Sequence, residues 1–389
     1  MKWPWALPLV LLAGCTAPSP PKTPVDDWRA RTFTYARSFE VFTRGAERRI
    51  IVHGHGGAAD TVGMYHAVPG GRCTEPGCRA AHLDIPLRRL ALLSSTHVPF
   101  LAAVGARDAV VAVTFPDEVR DSVLRAAIAE GRVKGLGSTE ALDRETLIAL
   151  RPDAVLTYPF GAQQQATLKE NGLPVVQVSE YLEEHPLGRA EWVRFFGSLT
   201  GREREADSLF AAIEQRYLAQ AALAERDTVH PVVFFGSQWN GQWSVPPGNS
   251  YMARLIADAG GRYAFAHRTA SGNIDIDMET LLATLDTVDN WGMIAAVDGH
   301  VFPRHLTNND PRFNKLDVVR RFHFFAGNTR TADLFGQALL EPDQVLRDLR
   351  YCFGDAYLWR AWEVDHPYFA PLRPEPVTLP YRPEEVPLN

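Results

Sequence analysis

The sequence predicts an α/β fold built from two similar lobes. A helix-start motif occurs twice, since Asp143-Arg-Glu-Thr-Leu-Ile-Ala recurs as Asp277-Met-Glu-Thr-Leu-Leu-Ala. Short uninterrupted apolar runs alternate with helical segments, which is typical of parallel sheets covered on both faces. A long helical stretch, 189–228, separates the two copies. We therefore expect two Rossmann-like lobes with parallel sheets, joined by a long connector helix and preceded by a β-rich extension.

The amino terminus has the pattern of a targeting segment. One lysine is followed by an apolar run that is too short to span a bilayer, which takes ~20 apolar residues. The run ends in Leu12-Ala-Gly-Cys15, which resembles the lipobox of bacterial lipoproteins. We expect residues 1–15 to be a lipoprotein signal peptide with Cys15 as the lipidated residue; a plain signal peptide with a chance cysteine is the alternative. Residues 16–30 are predicted to be a tether.

Composition narrows the class of the remaining chain. Hydrophobic residues make up 46% of the sequence and charged residues 22%, which indicates a globular body. The net charge of −6 and the lack of a basic patch argue against nucleic-acid binding. No later stretch is apolar enough to predict a membrane span.

Residues 31–86 are predicted to form the β-rich extension. Two strand candidates, 39–42 and 49–53, flank Gly45 and indicate a hairpin. Cys73 and Cys78 lie in a turn-rich loop, where a local disulfide is the first interpretation and a two-cysteine metal site the alternative. His53 and His55 form a weak metal-site candidate, although their glycine neighbours are equally typical of a loop.

The elements of the body follow in order. The first lobe is expected over 87–188, the connector helices over 189–228 with breaks at Gly197 and Gly201, and the second lobe over 229–370. A Pro-rich tail is expected over 371–389. The predicted strands of the lobes are 89–93, 109–113, 154–158, 174–178 and 232–235, and the predicted helices are 98–104, 143–150, 163–171, 250–259 and 342–351.

Several segments, in the same order along the chain, resemble one known family. They include Leu147-Ile-Ala-Leu-Arg-Pro-Asp-Ala-Val-Leu156, and the others are 87–97, 101–105, 108–113, 172–176, 181–192, 255–261 and 342–349. Together they resemble the helical-backbone periplasmic binding proteins, which serve ABC importers of ferric siderophores, haem and cobalamin. Segment 181–192 is similar to a variant common in lipoproteins associated with iron chelates.

The resemblance implies a lipid-anchored, monomeric solute-binding protein on the periplasmic side of the bacterial cell envelope. It would capture a metal chelate or corrinoid and pass it to an ABC importer permease, with no catalysis and no cofactor of its own. Many members carry a glutamate on the tip of each lobe that docks on transporter arginines. The matching position here is Ala162, which departs from that pattern.

Candidate ligand contacts follow the predicted strands, because ligands of open α/β sheets bind at the carboxyl ends of strands. Aromatic residues in loops beside such a site can stack on a chelate, and guanidinium groups can clamp its carboxylates. Arg189 and Arg268 are the clamp candidates, with Glu191 expected to orient Arg189. The other candidates are Ser95, Thr96, His97, Tyr158, Phe160, Tyr181, Trp239, Trp243 and Tyr251.

Other interpretations of these residues remain open at this point. Ser95 or Thr96 can simply cap a helix, His97 can be a framework histidine, and the arginines can be solvated surface groups. A receptor for free metal ions would use His97, Glu180, His267 and His305. An envelope sensor or enzyme would reuse the same fold, although the sequence contains no Gly-x-Ser-x-Gly, phosphate-loop or His-Glu-x-x-His motif.

Overall fold

The computed structural model describes residues 27–71, 82–159, 161–239, 241–354 and 365–372. The predicted signal peptide with Cys15, the pair Cys73 and Cys78, Phe160 and nearly all of the Pro-rich tail lie outside the described residues. Within the described ranges, no helix is long and apolar enough to cross a membrane.

The extension forms a five-stranded sheet of its own. Its strands are β1 (Arg29–Ala30), β2 (Phe39–Arg44), β3 (Glu47–Gly54), β4 (Gly57–Pro69) and β5 (His82–Ile85). Strands β1 to β4 are antiparallel neighbours, and the hairpin expected around Gly45 is the β2–β3 connection, where Gly45 has a φ of 58°. Strand β5 runs parallel to β4, which local pattern did not predict.

The first lobe is a parallel sheet in the order β10-β9-β6-β7-β8, with helices around it. The strands are β6 (Leu90–Leu92), β7 (Val110–Val113), β8 (Lys134–Gly135), β9 (Ala154–Thr157) and β10 (Val175–Gln177). The helices are α1 (Val98–Ala103), α2 (Ser122–Ala129), α3 (Arg144–Leu150) and α4 (Ala162–Glu170). Asp143 caps α3 by accepting a hydrogen bond from the amide of Thr146, as its position in the repeated motif predicts.

The connector consists of α5 (Pro186–Glu191), α6 (Val193–Thr200) and α7 (Glu203–Ala224). Gly201, with a φ of 67°, ends α6 as expected. The break predicted at Gly197 is wrong, because this residue lies inside α6. A Cβ there would lie 2.6 Å from the Cβ of Ala206, so glycine at this position allows α6 and α7 to pack closely.

The second lobe contains two sheets. The larger has the order β14-β11-β16-β17-β18 and is parallel except for β18; the smaller is antiparallel, in the order β12-β13-β15. The strands are β11 (Val232–Phe235), β12 (Ser237–Trp239), β13 (Gln242–Val245), β14 (Arg262–Tyr263), β15 (Ile274–Ile276), β16 (Asn290–Ala295), β17 (Phe324–Asn328) and β18 (Ala370–Pro371). The helices are α8 (Tyr251–Asp258), α9 (Met278–Leu285), α10 (Arg304–Thr307), α11 (Asp317–Arg320), α12 (Gln337–Leu340) and α13 (Pro342–Phe353).

Two buried carboxylates attach the extension to the connector. Glu191 accepts hydrogen bonds from the amides of Thr34, Tyr35 and Ala36 at 2.9–3.1 Å. Glu183 accepts hydrogen bonds from the amides of residues 37 and 38 and from the indole of Trp192. Because buried amides need partners, these bonds hold segment 34–38 in one position.

Apolar packing continues from that segment into the first lobe. The ring centroids of Phe39 and Trp192 are 4.7 Å apart, and both rings are buried. The hydroxyl of Tyr65 on β4 accepts a 2.8 Å hydrogen bond from the amide of Gln177 on β10. The extension therefore shares a core with lobe one.

Candidate ligand-binding site

Polar side chains gather at the carboxyl ends of β6, β9 and β10. Ser94 to His97 follow β6, Tyr158 follows β9, and Glu180 and Tyr181 follow β10. Parallel strands end at one edge of a sheet, so the fold brings these separate segments together. Within the run Ser94-Ser95-Thr96 that offers a helix cap, Ser94 is the cap, because its hydroxyl accepts a hydrogen bond from the amide of Thr96.

A chain of hydrogen bonds links these residues. The Thr96 hydroxyl lies 2.9 Å from the Ser94 hydroxyl and 2.6 Å from that of Tyr158. The Tyr158 hydroxyl donates to Oε1 of Glu180 at 3.0 Å. We call Ser94, Thr96, His97, Tyr158 and Glu180 the polar cluster.

Burial controls the charges in the polar cluster. Glu180 is 1% exposed, and burial raises the pKa of its carboxyl to about 7 although the Tyr158 hydrogen bond opposes the rise. His97 is fully buried, and burial lowers the pKa of its imidazole to about 3. Nε2 of His97 lies 4.0 Å from Oε2 of Glu180, and neither atom has a hydrogen-bond partner among the described residues. The cluster therefore holds a neutral histidine beside an acid that titrates near neutral pH.

A row of rings runs from the extension into this cluster. The ring centroids of His55 and Tyr181 are 6.1 Å apart, those of Tyr181 and Tyr158 are 5.2 Å apart, and those of Tyr158 and His97 are 5.1 Å apart. All three contacts are edge-to-face, the arrangement that aromatic rings prefer. We call these four residues the aromatic row.

Arg189 and Tyr251 lie against each other rather than in an open cleft. The Arg189 guanidinium carbon is 3.6 Å from the centroid of the Tyr251 ring, and Nη2 donates to the carbonyl of Tyr181 at 2.7 Å. The cavity that they border measures about 20 Å³, enough for one water molecule and too small for a chelate. The expected pairing of Glu191 with Arg189 is wrong, because Glu191 bonds Arg194 and the 34–36 amides.

The second-lobe candidates are dispersed. Trp243 lies on β13 and is 4% exposed, so its predicted loop position is wrong; its ring packs with Phe234 and Trp291 in the core. Trp239 lies on β12, which is also a strand. Arg268 is half-buried with its guanidinium over the Phe265 ring.

Of the candidate metal ligands, His97 and Glu180 lie together in the polar cluster, whereas the other histidines are dispersed. His53 is buried beside Glu40 at 3.3 Å, whereas His55 is exposed at the turn after β3. His305 accepts a hydrogen bond from the amide of Phe302, and His267 is exposed on lobe two. The part of the chain that the structure describes contains no group of three His, Cys, Asp or Glu side chains placed to hold a metal ion.

The two lobes meet near the polar cluster. Arg120 follows β7 on lobe one and donates from Nη2 to the carbonyls of Thr329 and Arg330, which follow β17 on lobe two, at 2.7 and 2.9 Å. A second contact joins Asn249 to Glu184 at 2.5 Å. The carboxyl edges of both main sheets therefore face each other.

Two lobes around facing sheet edges, joined by helices, define the architecture of a two-lobe binding protein. Solved structures share it. A possible iron-binding periplasmic solute-binding protein from Staphylococcus epidermidis matches with a TM-score of 0.55 and 17% identity, covering 69% of this chain and 98% of that one. A periplasmic heme-binding protein from Pseudomonas aeruginosa matches with a TM-score of 0.55 and 19% identity, covering 69% and 92%. These likenesses confirm the predicted fold.

Sequence comparison identifies the family. The family described as periplasmic binding protein matches residues 90–328, more than half of the chain, so this chain belongs to that family. It is 26% identical over 280 residues to an uncharacterized lipoprotein of Methanocaldococcus jannaschii, covering 69% of this chain and 65% of the relative. A second lipoprotein of that organism is 23% identical over 243 residues, with 60% of its length covered. The chain thus spans less than two thirds of these curated relatives.

Proposed function

We propose that this protein is a solute-binding protein that captures a metal chelate between its lobes and delivers it to an ABC importer. Membership of the periplasmic binding protein family supports this function, as does the placement of the polar cluster and aromatic row at the sheet edge that faces lobe two. Ligands of open α/β sheets bind at such an edge. The ligand is a ferric siderophore, haem or a corrinoid, and it is released unchanged.

The observation that carries this proposal is the Tyr158–Glu180 hydrogen bond, which ties the aromatic row to a buried carboxylate at the sheet edge of lobe one. Tyrosine rings offer apolar faces to a planar or aromatic chelate, and the hydrogen bonds of the polar cluster hold the Tyr158 ring in position. Two proteins of similar structure are a heme-binding protein and a possible iron-binding protein. A receptor for free metal ions is less well supported, because the described residues bring no three ligands together.

The anchor and location belong to the same proposal. Residues 1–15 carry the lipobox-like signal, and curated relatives bear lipoprotein names. We propose lipidation at Cys15 and retention at the periplasmic side of the cell envelope as a monomer that contacts the importer permease.

Direct titration tests the function. Purified protein is titrated with haemin, a ferric hydroxamate siderophore and cobalamin while tryptophan fluorescence and thermal unfolding are recorded. We expect saturable quenching and a higher melting temperature with one of them, because a ligand that binds only the folded state stabilises it. No response to any of the three would contradict the proposal.

A variant locates the binding site. Tyr181→Ala removes one ring of the aromatic row, so we expect a loss of about 1 kcal/mol in binding free energy and roughly a fivefold rise in Kd. Leu218→Ala, which changes an exposed side chain on α7, is the matched control and should leave Kd unchanged. Equal affinity of Tyr181→Ala and wild type would place the site elsewhere.

A further inference from the structure

The tip of the extension reaches the candidate site. Strands β3 and β4 are joined by the two-residue turn His55-Gly56, and Gly54 pairs with Gly57 across it. The His55 ring lies 6.1 Å from that of Tyr181, measured between centroids. A segment outside the family match of 90–328 therefore places a side chain at the border of the site.

The turn has a defined geometry. The carboxylate of Asp60 folds back and accepts a 3.2 Å hydrogen bond from the amide of Gly56. A Cβ on Gly54 would lie 2.3 Å from that carboxylate, and a Cβ on Gly56 would lie 2.7 Å from the Cβ of Asp60, so the two glycines make this fold possible. The backbone amide of His53 donates to the carbonyl of Ser38 at 2.8 Å, so the segment that Glu183 and Glu191 hold lies next to the turn and fixes it relative to lobe one.

His55 presents an available imidazole at that position. The residue is exposed, and none of the described groups hydrogen-bonds to its ring nitrogens, whereas His53 is buried against Glu40. A neutral imidazole nitrogen is a good ligand for iron and other transition metals. Among the described residues, His55 belongs to no trio of side chains placed to hold a free ion. A lone imidazole instead suits a metal whose other ligands come from a chelate.

We propose that His55 coordinates the metal of the bound chelate and so selects chelates that leave one coordination position open. Haem is such a chelate, whereas a hexadentate ferric hydroxamate saturates its iron and offers no position to the imidazole. The nitrogen lone pair fills the open position, and no electron is transferred. This inference rests on the function proposed above and adds the chemical class that the site prefers.

Haemin binding to purified full-length protein tests the inference through affinity and the Soret spectrum. The turn should keep its backbone conformation in His55→Ala, because His55 does not adopt the left-handed backbone that favours glycine. We expect this variant to lose the Soret shift of the wild-type complex and to bind haemin about tenfold more weakly. Added imidazole should restore the shift in His55→Ala. Affinity for a hexadentate ferric hydroxamate should stay unchanged.

His230→Ala is the matched control. His230 is an exposed histidine before β11, at the opposite edge of the lobe-two sheet, and its ring contacts the carbonyl of Gly260. This variant should keep the wild-type spectrum and affinity. The same Soret spectrum and affinity in His55→Ala and wild type would overturn the role of His55.

The two proposals fail in distinguishable ways. Wild-type protein that binds the saturated hydroxamate chelate but not haemin would overturn the role of His55 and leave the solute-binding function standing. Wild-type protein that binds neither these chelates nor cobalamin would overturn the function itself.

Discussion

At the residue scale, the polar cluster contains two groups whose titrations change the free energy of unfolding in opposite directions as the pH rises. Glu180 has a pKa of about 7 in the folded protein against 4.5 when unperturbed, so folded protein keeps a proton that unfolded chain releases between these values. The free energy of unfolding consequently falls as pH rises through that window, by roughly 3 kcal/mol in total. The imidazole of His97 has a pKa of about 3 in the folded protein against 6.5 when unperturbed, so between these values it stays neutral while the unfolded chain binds a proton. The contribution of His97 to the free energy of unfolding is therefore lost as the pH falls through this window.

Replacing the acid separates the two effects. Glu180→Gln lacks the carboxyl whose contribution to the free energy of unfolding falls as the pH rises. We therefore expect the free energy of unfolding of the variant, minus that of wild type, to increase by roughly 2 kcal/mol between pH 5 and pH 8. Urea unfolding at the two pH values measures it. Glu225→Gln, an exposed site at the end of α7, should follow the wild-type pH dependence. If Glu180→Gln also does, the raised pKa is wrong.

Single residues also show what the sequence could and could not predict. The sequence could place several candidates at one edge of the sheet because each follows a predicted strand, and strand ends share one edge of a parallel sheet; they are Ser95, Thr96, His97, Tyr158 and Tyr181. Ser94 was not among the candidate contacts; it lies in the run Ser94-Ser95-Thr96 that predicts a helix cap, and it supplies that cap. Trp243 was misplaced because neighbouring glycines suggested a loop where the chain forms a short antiparallel strand.

At the element scale, the extension depends on its two carboxylate anchors. Glu191 is fully buried, and one of its oxygens accepts from both Tyr35 and Ala36. Glu191→Gln places an amide donor in this environment, so we expect a loss of about 2 kcal/mol in unfolding free energy, since buried donors left without acceptors are costly.

Amide exchange locates the effect of this variant. Exchange of the 34–36 amides should accelerate in Glu191→Gln, while exchange in the lobe-two sheet stays slow. Glu205→Gln, on the exposed side of α7, is the matched control and should change neither stability nor exchange. Unchanged protection at 34–36 would show that the anchor is dispensable.

The predicted elements of the lobes came from local signals, whereas the attachment of the extension did not. Caps such as Asp143 and Asp277 and uninterrupted apolar strands are visible within a few residues. The bond from Ala36 to Glu191 joins residues 155 positions apart, and no local pattern encodes it. The parallel pairing of β5 with β4 is likewise a tertiary outcome.

At the scale of the whole molecule, Arg120 links the two lobes. Its hydrogen bonds to the carbonyls of Thr329 and Arg330 are exposed, so together they contribute about 1 kcal/mol to the closed arrangement. Arg120→Ala should increase the radius of gyration of ligand-free protein in X-ray scattering and weaken ligand binding roughly fivefold.

Arg144→Ala supplies the control for this variant. Arg144 is exposed on α3 and should leave scattering and affinity unchanged. Identical scattering curves for Arg120→Ala and wild type would show that the interlobe bonds do not set the spacing of the lobes. The repeated helix-start motif predicted two lobes, but the groups that join them lie in loops whose sequence gives no such signal.

The attachment of residues 34–38 to Glu183 and Glu191 also sets an order of assembly. Translation proceeds from the amino end, so Ala36 is synthesised 155 residues before Glu191, the last anchor of the segment that it belongs to. At ~5–20 residues per second this delay lasts roughly 8 to 30 s. During that interval the first strands lack the connector side chains that cover them in the folded protein, such as Trp192 against Phe39.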